Sequence, residues 1–88
     1  MKKYTVQIDG HETRVKFTDE ITDEFGELRP VTEKDALDRA IHKIYGKDCF
    51  WWADSGLPWY YGQVCRPVGI NSNTCVTSRV RADITEGW

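Results

Sequence analysis

In YTVQIDGHETRVKF (residues 4–17) apolar and polar residues alternate from Tyr4 to Ile8 and again from Arg14 to Phe17, with Asp9-Gly10 between the two runs. A period of two marks a strand with one wet face. A two-residue Asp-Gly loop suits a type I′ hairpin, in which both central residues take positive φ. Closing the turn there pairs Ile8 with His11, Val6 with Thr13 and Tyr4 with Val15. Tyr4, Val6, Ile8, Val15 and Phe17 then share the core face. Lys3, Thr5, Gln7, Glu12, Arg14 and Lys16 share the solvent face.

The next stretch, TDEITDEFGELRP, reads as a polar, acidic connector with a turn at Gly26 and a stop at Pro30. In VTEKDALDRAIHKIYG the period changes, and Leu37, Ala40, Ile41 and Ile44 recur at helical spacing. Thr32 is a suitable N-cap, Asp35 three residues on resembles a capping box, and Glu33 and Asp35 complement the positive end of the helix dipole. Lys43 lies in the last turn and Gly46 suits the left-handed position beyond it. The spacing predicts a helix over about residues 33–45 with one apolar stripe.

Beyond the helix, CFWWA and WYYGQVC flank the turn DSGLP and predict a second hairpin. A third run, TCVTSRVRADI, follows the loop PVGINSN. The whole is ββαβββ, a single α+β domain over residues 1–88: an antiparallel sheet of about five strands with one helix packed across it. If the last two strands pair around residues 67–73, Arg66 faces Thr74, and Tyr60, Val64, Val76, Val80, Ala82 and Ile84 form the core side. The opposite side then sets Trp59 against Arg81, Tyr61 against Arg79, Gln63 against Thr77 and Cys65 against Cys75. Two readings stand for the cysteine pair: reduced thiols acting as small hydrophobes, or a cross-strand disulfide in an oxidising sample with Cys49 left over.

Trp, Tyr and Arg are the residue types enriched at interface hot spots, so Trp59, Tyr61, Gln63, Arg79 and Arg81 form a candidate partner-binding face. The same pairs also stabilise an ordinary sheet through cation–π contact. The composition supports a well-filled single core: 88 residues carry four tryptophans, four tyrosines and three phenylalanines. The net charge of −2 conceals a split. Residues 9–38 hold ten acids against four bases, and residues 39–88 hold four acids against six bases. Within the acidic segment Asp19, Glu20, Asp23 and Glu24 are a second candidate contact, able to imitate nucleic-acid phosphates toward a basic groove. The competing reading is a solvated face.

Catalytic chemistry is not visible. Ser55 in ADSGLP lacks the nucleophile elbow, YGKDCF lacks a phosphate-loop ending, and Asp23 and Glu24 sit in a wet connector with no apolar pocket to raise a pKa. Three cysteines and two histidines show no close ligand spacing, so neither a metal nor another cofactor is expected. An odd cysteine count without C-x-x-C, no apolar signal core and no long apolar run lead to the expectation of a soluble, cytoplasmic protein that is not an enzyme.

The small sheet crossed by one helix, with TEKDALDRAI leading into aromatic strands, resembles small phage-encoded inhibitors, including certain anti-CRISPR proteins of type I systems. That resemblance implies an inhibitor in the host cytoplasm that binds a Cas surveillance complex or nuclease and blocks target DNA binding or cleavage. Two other readings stand beside it. An aromatic and arginine sheet face can stack the bases of single-stranded nucleic acid, although the negative net charge disfavours this. Alternatively, an exposed edge or face builds a structural or assembly subunit, leaving monomer and small homo-oligomer both open.

Overall fold

The computed structural model describes residues 1–88. Strands β1 (Lys2–Ile8) and β2 (His11–Phe17) form the expected hairpin, pairing Ile8 with His11, Val6 with Thr13 and Tyr4 with Val15. Asp9 and Gly10 take φ of 49° and 79°, as a type I′ turn requires. Tyr4, Val6, Ile8, Val15 and Phe17 are all buried.

The acidic connector is more ordered than its composition suggests. It folds into a small hairpin of β3 (Glu20–Thr22) and β4 (Leu28–Pro30). Asp23 organises the turn: its carboxylate accepts the N–H groups of Phe25 and Glu27, both at 2.9 Å, while Gly26 takes φ of 80°. Three-residue strands are too short to display a period, which is why this hairpin is not read from hydropathy.

Helix α1 (Glu33–Ile44) begins after Thr32, whose backbone N–H donates to Asp35 Oδ2 at 2.8 Å. Arg29 of β4 forks onto the same carboxylate at 2.8 and 2.6 Å, tying the acidic hairpin to the helix N-terminus. The Arg29 guanidinium and the Thr32 donors together hold the Asp35 carboxyl down at about 2.

The C-terminal half comprises β5 (Phe50–Ala53), β6 (Tyr61–Gly69), β7 (Ser72–Cys75), β8 (Val80–Arg81) and β9 (Asp83–Glu86). Strand β6 pairs with β5 on one edge and with β7 and β8 on the other, and β9 pairs with β1. The ladders form a three-stranded sheet of order β2-β1-β9 and a four-stranded sheet in which β6 carries β5, β7 and β8, so the antiparallel α+β plan holds but is divided between sheets where the sequence predicts one continuous sheet. The switch between the two groups falls at buried Ala82, whose N–H donates to the Tyr60 carbonyl at 2.8 Å.

The helix crosses β1, β2, β5 and β9. Ala36, Leu37, Ala40 and Ile41 meet Val6, Ile8, Val64 and Cys49 in one buried cluster. The free edge of the sheet at β2 is covered from the helix: Arg39 donates to the Lys16 carbonyl and Lys43 to the Arg14 carbonyl, both at 2.8 Å. In a hairpin closed at Asp9-Gly10 these two carbonyls point away from β1, so both would otherwise be open acceptors. No helix is long and apolar enough to cross a membrane.

Candidate functional site

The outer side of the β5–β8 group is built by alternation. Residues directly opposed on antiparallel strands share a face, so the pairs Phe50–Cys65, Trp52–Gln63, Cys65–Cys75 and Tyr61–Arg81 all lie together. Their inward neighbours Val64 and Trp51 pack on the core cluster. The Phe50 and Trp52 rings lie 6.3 Å apart, Tyr60 and Tyr61 5.4 Å apart, and the Arg81 guanidinium stands 5.2 and 5.9 Å from the centroids of the two tyrosines. Trp52 is 50% exposed, although its indole is among the largest apolar groups in the chain. Trp52, Gln63, Cys65, Asn73 and Cys75 enclose a shallow depression of about 280 Å³.

Strand β5 is drawn tightly onto β6 at Gly62. A Cβ there would stand 2.2 Å from the Trp52 carbonyl oxygen and 3.0 Å from the Ala53 Cα, so only glycine allows this approach. The Trp52 ring is therefore carried on a backbone with little room to shift.

Tyr61, Gln63 and Arg81 lie on the expected face, but the pairing differs from the expectation. Tyr61 faces Arg81 and not Arg79, because the register changes by two residues between Cys75 and Val80. In this bulge three residues, Thr77 to Arg79, stand opposite Gln63 alone. The ladder is preserved by a side chain: the Thr77 hydroxyl accepts the buried Val64 N–H at 2.9 Å, while Val76 N–H donates to the Val64 carbonyl at 2.8 Å. Arg79 sits in the bulge and forms an ion pair with Asp54.

Trp59 is a further departure. Two successive turns, Leu57 N–H to Asp54 carbonyl and Tyr61 N–H to Pro58 carbonyl, hold residues 54–60 off the strand. Trp59 consequently faces the helix side, packs on the core, and receives the Trp51 indole N–H at its carbonyl at 2.6 Å. It is replaced on the outer side by Phe50 and Trp52, whose position could have been read from the alternation of CFWWA once β5 was paired with β6.

The acidic candidates lie on the β3–β4 hairpin, which has no ladder to β5–β8. Asp19 pairs with the chain's N-terminal ammonium at 2.7 Å, which lowers its pKa, and Asp23 is occupied by its own turn. Glu20 and Glu24 are exposed, as is Phe25 within the turn. Among His, Cys, Asp and Glu side chains, no group of three converges as a metal site.

The two candidate arginines are already engaged, Arg81 with Asp83 at 3.0 Å and Arg79 with Asp54. Arg66 alternates with Cys65 onto the helix side, where it donates to the Tyr45 carbonyl at 3.2 Å. The face thus presents aromatic area and directed N–H groups with little free positive charge. Comparison with family models, with curated proteins and with solved structures finds no match to this chain.

Proposed function

We propose that the protein is a non-catalytic binding module that docks on another protein through the outer side of β5, β6 and β8. The observation that carries this reading is that the Phe50–Trp52 and Tyr61–Arg81 pairs lie on one face of β5, β6 and β8, with Trp52 half exposed and the other side of these strands packed on the core. Rigid aromatics give a large contact area at small entropic cost, and Arg81 adds donors above them. Because Arg79 and Arg81 already have carboxylate partners, the face suits apolar side chains and carbonyl acceptors of a protein better than a run of phosphates. The resemblance to anti-CRISPR inhibitors makes a type I Cas surveillance complex or its nuclease the first partner to present, with blockage of target DNA as the functional consequence.

The test uses tagged protein, purified surveillance complex and nuclease-treated lysate, with each captured partner measured by titration. Trp52→Ala, Tyr61→Ala and Arg81→Glu should each weaken the same partner by roughly tenfold or more, while the thermal transition stays near that of the parent. Trp59→Ala should instead lower the thermal midpoint, because it removes packing on the core. Unaltered affinity in the three face variants overturns the proposed surface. Capture that disappears with nuclease assigns the aromatic rings to nucleic acid instead.

A further inference from the structure

We propose that Cys65 and Cys75 are a thiol–disulfide site, which a small disulfide of the glutathione class converts from two thiols into one cross-strand bond. The two residues are directly opposed on β6 and β7, with their sulfur atoms 4.0 Å apart. Their place in the ladder favours closure. Val64 and Val76 are hydrogen-bonded partners, so the next pair along, Cys65 and Cys75, is a pair without mutual backbone bonds, the arrangement in which opposed side chains come closest. The third cysteine is set apart: Cys49 is buried in the core cluster, with its thiol 3.6 Å from the Tyr45 carbonyl.

Access sets the order of events. Cys75 is exposed and Cys65 is buried, and both open onto the depression beneath Trp52. The Cys75 thiolate attacks one sulfur of the small disulfide, whose S–S bond breaks and releases one small thiolate. Cys65 then loses its proton to solvent and attacks the Cys75 sulfur, expelling the second small thiol. Two protein thiols are oxidised and one small disulfide is reduced to two thiols, so the exchange balances.

Burial, then the neighbouring Cys75 thiol, pushes Cys65 up to about 11, with the Asp54 carboxylate and Cys49 adding to the rise. Asp54 is itself paired with Arg79. A raised thiol pKa means that the thiol form prevails at neutral pH. Burial, the largest cause, persists once Cys75 is in the mixed disulfide, so the second step should accelerate as pH rises from 7 to 9. The bond would join β6 to β7 beneath Trp52 and brace the hairpin whose tip exposes Val68 and Ile70.

The test counts free thiols on the intact protein after equilibration in glutathione buffers from fully reduced to fully oxidised, with acid quench and maleimide mass tagging. The parent protein should pass from three free thiols to one, and Cys49→Ser from two to none. Cys75→Ser, which alters only an exposed side chain, should keep both remaining thiols. Three thiols retained in fully oxidised buffer, a glutathione adduct on Cys75 that does not resolve, or loss of both thiols in Cys75→Ser each overturns the site. None of these readings involves a binding partner, so the outcome is independent of the docking face.

Discussion

Asp35 shows how one side chain serves two elements. Its carboxylate caps the helix start and receives Arg29 from the acidic hairpin, with its side chain 13% exposed. The folded-state pKa of about 2 lies below the ordinary 3.8, so the stabilisation is complete above the unfolded value and is lost as pH falls through the folded one. Because Arg29 is 38% exposed and screened, the contribution is on the order of 1 kcal/mol. Acid titration of stability should show this loss between roughly pH 4 and pH 2, and Asp35→Asn should flatten it while lowering stability at pH 7. The capping role of Asp35 was legible because cap residues act over three positions of sequence. The Arg29 partner was not, since it arrives from a strand whose three residues show no period. Trp59 was misplaced for a related reason: hydropathy does not distinguish an aromatic that continues a strand from one held beside it by consecutive turns at Asp54 and Pro58.

Among the elements, those with strong local signals were the readable ones. The first hairpin was legible down to its register, because Asp9-Gly10 fixes the turn and alternation fixes the face. The pairing of Cys65 with Cys75 followed from the loop between them, but that register holds only from Asn73 to Val76, shifting to Gly69–Ser72 at the loop and breaking at Thr77. There a hydroxyl replaces a backbone carbonyl as acceptor for Val64, and no propensity announces that substitution. Thr77→Val keeps the shape and deletes the acceptor, leaving a buried N–H without a partner. It should cost about 1–3 kcal/mol in chemical denaturation and loosen amide exchange protection at Val64 before that of β1. The covered β2 edge bears on assembly: with Arg39 and Lys43 on its outward carbonyls, strand addition there requires displacing the helix side chains.

For the molecule as a whole, local ion pairs cancel part of the charge split along the chain. The C-terminal arginines are neutralised locally by Asp48, Asp54 and Asp83, and two of the four acids singled out in the connector hold a terminus or a turn. Partner binding by the outer face should accordingly change by less than about threefold between 50 and 200 mM salt, where a ligand neutralised at several phosphates would lose orders of magnitude. Titration at the two salt concentrations checks this, and a steep salt slope would argue for phosphate contact. The bulge opposite Gln63 has a final consequence, which concerns how this chain can change in length. It adds two positions to one strand, an even number, so Arg81 remains on the same side as Cys75. Descendant sequences that shorten residues 76–79 by a pair can keep the aromatic face intact. Loss of a single residue there would leave an ordinary two-against-one bulge with Arg81 still opposite Tyr61, so the segment can absorb changes of length while the flanking pairs hold the face.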